Sequence, residues 1–205
     1  MKVLSKENRL HQCELPIVAI TGGIACGKST VSKMIEDQGH LVIDADRLVK
    51  EIYQLRESKS FIQNIAPEAI TQDTIDFKKL RSLFFSSSEL KAKIESYIYS
   101  KLPEQFLSKV RHSKASIVFY DVPLLFEKKL DPLVDHILCV YVPRNMQRDR
   151  VMARDKITAE EAEKILHQQL NIEDKISRSQ TVIDNTSSLE NTKNQVLEFL
   201  KNLEN

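Results

Sequence analysis

The residues best suited to chemistry lie in a glycine-rich stretch near the start of the chain, from Ile17 to Thr30. Four of them fit the pattern G-x-x-x-x-G-K-S/T: Gly22, Gly27, Lys28 and Ser29. Glycines let a backbone approach a ligand closely, and the amides at a helix start lack intrahelical partners, so such a turn can hold an anion. The lysine can reach terminal phosphates, and the serine hydroxyl can help to hold Mg²⁺. The stretch therefore predicts binding of a nucleoside triphosphate with Mg²⁺.

Two carboxylates, Asp44 and Asp46, follow the next apolar run, Leu41 to Ile43. A carboxylate can position an acceptor hydroxyl and take its proton during phosphoryl transfer, and it can also serve as a ligand of Mg²⁺. Two residues apart on an extended chain, the two side chains would point to the same face. The pair favours a phosphoryl-transfer site, although strand-end polarity or a helix N-cap by Asp46 would account for the same spacing.

A third carboxylate, Asp121, ends another apolar run and is followed by Pro123 and Leu124. An aspartate at this point of a phosphate-loop enzyme can hold Mg²⁺, and a simple loop-capping aspartate is the alternative. The segment from Pro123 to Phe126 is too apolar for a solvent loop. We expect it to pack against a substrate or against the part of the chain that covers the site.

Four arginines fall within one short segment: Arg144, Arg148, Arg150 and Arg154. Arg150 and Arg154 are four residues apart and would share one helix face. Arginine side chains stabilise the negative charge that develops on a transferred phosphoryl group, so a mobile lid carrying them is expected. A solvated charged helix is the alternative, since Asp149 and Asp155 are interleaved.

Five apolar runs, separated by helical patterns, predict an α/β fold with a five-stranded parallel sheet covered by helices on both faces. The expected strands are Ile17–Thr21, Leu41–Ile43, 116–122, 136–142 and Thr181–Asp184. Residues 47–113 show amphipathic helical patterns and no strand, and Pro103 is expected to bend or divide the last helix of that region. This insertion is too long for a plain crossover, so it should cover the sheet edge and hold the second substrate.

Composition narrows the class of protein and its partners. The 205 residues carry 30 basic and 29 acidic side chains, and this near-zero net charge gives no indication of a nucleic-acid or membrane partner. No run is long enough to span a bilayer, and residues 1–15 lack the apolar core of a secretion signal. We expect those residues to form an extension that is poorly ordered at its start. An odd cysteine count suggests a reducing cytoplasm, and helix amides could lower the pKa of Cys26.

The chain also resembles a known family, that of the dephospho-coenzyme A kinases. Four motifs carry the resemblance: Thr-Gly-Gly-Ile-Ala-Cys-Gly-Lys-Ser-Thr with Val-Ile-Asp-Ala-Asp downstream, Asp-Val-Pro-Leu-Leu-Phe-Glu at 121–127, Gln-Arg-Asp-Arg-Val-Met-Ala-Arg-Asp at 147–155, and Val-Ile-Asp-Asn at 182–185. They follow the family's order and spacing from about residue 16 onward. The phosphate loop alone is generic, whereas the Asp-Ala-Asp and Pro-Leu-Leu-Phe-Glu elements are much more specific.

The resemblance implies a phosphate-loop kinase with ATP and Mg²⁺ as cofactors, in which the γ-phosphate passes to the ribose 3′-hydroxyl of dephospho-coenzyme A. It implies a core of residues 16–46 and 114–205, a helical substrate domain of residues 47–113 and a lid at about 144–172. Within the core, ATP would lie against the loop residues and Asn185; the loop residues are Gly22, Gly23, Ala25, Cys26, Gly27, Lys28, Ser29 and Thr30. A cytoplasmic monomer or weak homo-oligomer is expected.

The same resemblance assigns individual roles. Asp46 is similar to the general base and Asp44 to its structural or metal-organising neighbour, while Arg150 and Arg154 correspond to lid arginines. The substrate side would be completed by four further residues: Arg81, Asp121, Pro123 and Leu124. The metal would be held by Ser29 and Asp121.

Some positions depart from the family's pattern, and two other functions can be weighed. Ala25 and Cys26 replace the usual glycine and serine, which makes the loop stiffer, and Thr186 stands where a glycine is common. A nucleoside monophosphate kinase or another small-molecule kinase of the same fold is the main alternative. A nucleotide-binding switch is the other, but the arginine-rich lid suits transfer better than slow hydrolysis.

Overall fold

The computed structural model describes residues 1–204 and divides into two compact units. Unit 1 comprises Met1–Asp44 together with the chain from Ser113 onward, and unit 2 is Ala45–His112. The strands are β1 (Ile17–Gly22), β2 (Leu41–Asp44), β3 (Ile70–Thr71), β4 (Thr74–Ile75), β5 (Val118–Asp121), β6 (His136–Tyr141) and β7 (Thr181–Asp184). The α-helices are α1 (Lys28–Asp37), α2 (Ala45–Gln54), α3 (Arg56–Ile65), α4 (Phe77–Ser86), α5 (Ser88–Arg111), α6 (Arg144–Asp155), α7 (Ala159–Leu166), α8 (Ile172–Ser177) and α9 (Leu189–Glu204).

Unit 1 is built on a parallel sheet with the strand order β2-β5-β1-β6-β7. Its central strand β1 is buried along its whole length, as a strand flanked on both sides and covered on both faces requires. Val18 and Ile20 point to one face, where helices α1 and α9 pack through Val31, Ile35 and Phe199. The five-stranded parallel sheet predicted from the sequence is confirmed.

Because all five strands run in parallel, their carboxyl ends meet at one edge of the sheet. The glycine-rich loop leaves β1 at this edge, and Asp44 and Asp121 end the neighbouring strands β2 and β5 in register with each other. Ligands of open α/β sheets bind outside the carboxyl ends of the strands. The topology therefore brings a loop and two carboxylates from distant parts of the sequence to one place.

Unit 2 is mainly helical and has a core of its own. Its buried residues come from all four helices: Ile52, Ile62, Leu80, Ile94 and Ile98. Side-chain caps define two of the helix starts. The carboxylate of Asp76 accepts hydrogen bonds from backbone amides of α4, and the hydroxyl of Ser87 accepts one from a backbone amide of α5. These helices lie within the compact unit Ala45–His112, and its role as a substrate-binding insertion stays a prediction.

One expectation for this unit is wrong, and the division of its last helix at Pro103 is excluded. A small antiparallel hairpin, β3–β4, lies where no strand was expected. Its strands are too short for alternation to show, and its turn residues Gln72 and Asp73 take positive φ values without a glycine to signal them. Helix α5 continues through Pro103, so the proline does not divide it, and side chains buried on both sides of the proline, Ile98 and Phe106 among them, stabilise the helix.

The N-terminal extension is also more fixed than its polar sequence suggests. Short 3₁₀ turns occur at Lys6–Asn8 and Leu10–Gln12, and between them the Arg9 side chain is almost fully buried. Its guanidinium pairs with the carboxylate of Asp135 at 2.6 Å, and a polar segment is thereby fastened to the sheet. Among residues 1–204 no helix is both long and apolar enough to cross a membrane.

Candidate active site

The glycine-rich loop joins the end of β1 to the first turn of α1, and its shape depends on two glycines. Gly27 takes a φ of 88° as the residue before the helix. A Cβ on Gly22 would lie 2.5 Å from the carbonyl oxygen of Val140 on the neighbouring strand. Among the described residues no side chain caps α1, so the amides of its first turn can face an anion.

The two unusual loop residues behave differently from each other. Ala25 adopts a left-handed backbone conformation with φ of 56°, which costs a residue with a Cβ roughly 1–2 kcal/mol. Cys26 points into the hydrophobic core and is 1% exposed. Burial raises the pKa of the Cys26 thiol and outweighs the backbone amide and the nearby lysines, so the expected lowering by helix amides is wrong.

A charged cluster links the start of α1 to the end of β5. The Lys28 ammonium forms an ion pair with Asp121, and the Ser32 hydroxyl donates to the other oxygen of that carboxylate at 2.7 Å. Burial raises the pKa of Asp121, with Lys28 and Ser32 acting in the opposite direction. A lysine ammonium carries three donors, and Asp121 accepts only one, which leaves Lys28 able to contact phosphate oxygens.

Asp44 and Asp46 differ in their local structure. Asp44 is the last residue of β2, is exposed, and its charge contributes to the raised pKa of Asp121. Asp46 is exposed in the first turn of α2, because the helix begins at Ala45 directly after the strand. The expectation of two side chains on one face of an extended chain is therefore wrong.

Two residues predicted to bind ATP or to lie in the lid contact the backbone of the loop. Arg150 on α6 donates to the carbonyl oxygens of Ala25 at 3.2 Å and Asn185 at 3.1 Å. Asn185 is buried and donates to the carbonyl oxygen of Cys26 at 2.8 Å, while it accepts from the hydroxyl of Thr192. Both side chains thus hold the loop in its observed shape.

The remaining predicted residues lie in several environments. Ser29 is exposed on the first turn of α1, with Thr30 partly buried beside it. Arg154 is exposed at the end of α6 and pairs with Asp155. Pro123 follows β5 and accepts from the hydroxyl of Thr21, with Leu124 next to it in the same turn. Arg81 is exposed on α4 in unit 2.

Two residues beside the loop were not predicted. Gln147 on α6 packs against Gly23, where a Cβ would overlap its amide, and donates to the carbonyl oxygen of Val142. Lys175 on α8 is completely buried and donates to the carbonyl oxygens of Gly22 and Pro123. Gln147 is the first residue of the family-like motif at 147–155, so the sequence did contain a signal for it. Lys175 lies in a segment of mixed charges that resembles a solvent-exposed helix.

The groups present suit a nucleotide with its metal ion. Among residues 1–204 no three His, Cys, Asp or Glu side chains cluster as a metal site. Mg²⁺ is commonly held by one or two protein groups together with substrate phosphates, and Asp121 with the exposed Ser29 offers that kind of donor set. The cluster fits a metal that binds together with the nucleotide.

Comparisons with known proteins agree with this arrangement. A family model described as dephospho-CoA kinase (CoaE) matches residues 16–191. The dephospho-CoA kinase of Carboxydothermus hydrogenoformans is 35% identical over 193 residues, which is 91% of this chain and 94% of that relative. The dephospho-CoA kinase of Fusobacterium nucleatum is 36% identical over 190 residues, with 91% and 98% covered.

Solved structures are similar as well. A crystal structure from Thermus thermophilus has a TM-score of 0.80 at 29% identity, covering 93% of this chain and 99% of that one. The dephospho-CoA kinase from Campylobacter jejuni has a TM-score of 0.69 at 25% identity, covering 91% and 96%. The alternative of another phosphate-loop kinase is not favoured by these matches. The chain belongs to the dephospho-coenzyme A kinase family, which confirms the ATP-dependent phosphorylation of dephospho-coenzyme A, the last step of coenzyme A synthesis, that its sequence predicts.

Proposed function

We propose that the loop of unit 1 holds the triphosphate of ATP and that the γ-phosphate passes to the ribose 3′-hydroxyl of dephospho-coenzyme A. The observation that carries this proposal is the cluster of Lys28, Asp121 and Ser32 at the start of α1. It combines an ammonium, a carboxylate and uncapped helix amides at the carboxyl edge of a parallel sheet. Such a set of groups binds phosphates and leaves the acceptor to be positioned by other residues.

On the nucleotide side, amides of residues 22–30 hold the phosphate oxygens and Lys28 reaches the terminal phosphates. The lid arginines Arg150 and Arg154 stabilise the charge that develops on the transferred group. Asn185 closes the nucleotide site near the adenine and at the same time holds the loop at Cys26. Ser29 and Asp121 would hold Mg²⁺, which supplies charge neutralisation between the phosphates.

On the acceptor side, Asp46 takes the proton of the ribose hydroxyl and Asp44 organises its surroundings. Both carboxylates are exposed, so they are accessible to a substrate. Arg81 of the helical unit meets an acidic group of dephospho-coenzyme A, and Pro123 with Leu124 forms an apolar contact. The helical unit is the substrate domain, and residues 144–172 act as the lid.

The protein is proposed to act in the cytoplasm as a monomer or weak homo-oligomer, without a nucleic-acid partner. Light scattering on the purified chain over a range of concentrations measures the oligomeric state directly. A tightly associated oligomer at the lowest concentration would contradict that part of the proposal.

The experiment that tests the reaction is a coupled assay with Mg-ATP and a panel of acceptors: dephospho-coenzyme A, nucleoside monophosphates and shikimate. We expect turnover with dephospho-coenzyme A and detection of coenzyme A as the product. Turnover confined to another acceptor would contradict the proposal.

The role of the loop is tested by Lys28→Ala, which should raise KM for ATP and lower kcat. Lys33→Ala is the matched control, because Lys33 lies on the same helix but is exposed and pairs with Glu36 and Asp37. An unchanged kcat/KM for ATP in Lys28→Ala would exclude phosphate contact by this lysine.

A further inference from the structure

Lys175 is a fully buried lysine with no part in the mechanism described so far. It lies on α8, and its side chain is 0% exposed. Its ammonium contacts three acceptors: the carbonyl oxygen of Gly22 at 3.3 Å, that of Pro123 at 3.0 Å, and the carboxylate of Glu127 at 2.9 Å. These use the three donors that an ammonium carries. A buried ammonium is retained only where such partners offset its loss of water.

The partners of Lys175 belong to two separate segments, and one of them reaches a third. Gly22 is the last residue of β1 and the first glycine of the phosphate loop. Pro123 and Glu127 lie in the turn after β5, next to Asp121. Glu127 also accepts the backbone amide of Leu170 at 2.8 Å, just beyond α7. The ammonium thus contacts the start of the loop and the turn after β5 directly, and it reaches the end of the proposed lid segment through Glu127.

The contact with Gly22 fixes the peptide unit that opens the loop. In a trans peptide the carbonyl and the following amide point in opposite directions. Holding the oxygen of Gly22 toward Lys175 therefore directs the amide of Gly23 away from it, and the same peptide cannot rotate without losing a charge-assisted hydrogen bond. Loop amides bind phosphates well only when they are oriented beforehand.

We propose that Lys175 is a positioning residue for ATP, which presets the first peptide of the phosphate loop and ties it to the end of the lid segment through Glu127. The inference rests on the proposed binding of ATP by this loop. A purely structural ion pair would serve only stability. Lys175 also holds a loop carbonyl, and that contact does not depend on the charge of Glu127.

The test separates these two roles with three variants measured well below their melting temperatures. Lys175→Met keeps the length of the side chain but leaves the partly buried Glu127 carboxylate without its ammonium partner. Lys175→Met combined with Glu127→Gln removes that unpaired charge, so the melting temperature should recover toward that of the parent protein. Lys33→Met is the matched control, since Lys33 is exposed, pairs with Glu36 and Asp37, and lies outside both the loop and the proposed lid.

We expect KM for ATP to rise about tenfold or more in both Lys175 variants, as the loss of one hydrogen bond from a charged donor implies. KM for dephospho-coenzyme A should change less than KM for ATP, and Lys33→Met should match the parent in every parameter. If the double variant regains both its melting temperature and its KM for ATP, Lys175 is only an ion-pair partner and the proposal is overturned. The double variant also keeps the test decisive if Lys175→Met alone does not fold.

Lys28→Ala, measured in parallel, distinguishes a failure here from a failure of the proposed function. If Lys28→Ala raises KM for ATP and the double Lys175 variant does not, only the positioning role is wrong. If Lys28→Ala leaves KM for ATP unchanged, the binding of ATP by the loop itself is wrong.

Discussion

Replacing Arg9 by alanine should destabilise the whole of unit 1, although Arg9 lies in the extension that precedes the family match at residue 16. The Arg9 and Asp135 side chains are 3% and 0% exposed, and the guanidinium contacts both carboxylate oxygens, at 2.6 and 3.0 Å. The same guanidinium donates to the carbonyl oxygens of Leu4, Cys13 and Glu14. The Arg9 side chain therefore attaches the N-terminal extension to the sheet.

The magnitude follows from what the substitution leaves behind. In Arg9→Ala the Asp135 carboxylate stays buried and keeps only backbone amides, from Leu4 at 2.6 Å and Ile17 at 2.7 Å. Removing one partner of a buried ion pair costs about 3–5 kcal/mol. For a chain of this size each kcal/mol corresponds to roughly 2–4 °C in Tm, so a drop of about 6 °C or more is expected.

Urea unfolding followed by circular dichroism measures this change, with Lys6→Ala as the control. Lys6 pairs with Glu14 in the same extension, but both side chains are largely exposed, so its loss should cost less than about 1 kcal/mol. At 20 °C the kcat of folded Arg9→Ala should equal that of the parent, since Arg9 contacts no loop residue from 22 to 30. A cost no larger than that of Lys6→Ala would refute the reasoning.

Three further changes test other parts of the structure. Burial beside the ring of Tyr120 lowers the pKa of His11 to about 4, so the unfolded chain binds a proton first as pH falls below 6.5. The free energy of unfolding should therefore drop by about 1–2 kcal/mol between pH 7 and 5. In urea unfolding, His11→Gln should remove that part of the pH dependence. Asn185→Ala leaves the Cys26 carbonyl without its donor and should lower the free energy of unfolding by about 1–3 kcal/mol. The matched change at an exposed position, Asn191→Ala, should lower it by less than about 0.5 kcal/mol, and Tm measurements on both variants would show the difference. Asp46→Asn should lower kcat by about 10²-fold or more with little change in ATP affinity, and a near-normal kcat in the coupled assay would remove Asp46 from the role of base.

The central fold could be predicted because its signals are local and repeated. Buried parallel strands are continuous apolar runs, and β1 and β7 begin where the sequence places them. The start of α7 is set by a signal of the same local kind, a capping box in which Thr158 and Glu161 lie within one turn. The β3–β4 hairpin was missed because its turn depends on backbone conformations of Gln72 and Asp73 that composition does not reveal.

The candidate site was only partly predictable, because its supporting contacts join residues far apart in sequence. The phosphate loop and Asp121 were visible as motifs, yet nothing in the sequence pairs Lys175 with Gly22 or Arg9 with Asp135. A lone lysine or arginine among mixed charges has the same local pattern whether it is exposed or buried. Whether such a side chain is buried depends on the fold, which brings hydrogen-bond acceptors close to it.

The loop itself shows why those distant contacts matter for function. Ala25 is held in a left-handed conformation that a glycine would adopt freely, and such strain persists only where the surroundings over-determine it. Arg150 holds the carbonyl of Ala25, Asn185 that of Cys26, and Lys175 that of Gly22. All three come from the C-terminal third of the chain. A fragment ending before β7 would therefore retain every residue of the glycine-rich motif and still lack Asn185, and its loop would be free to leave the shape in which its amides can bind phosphate.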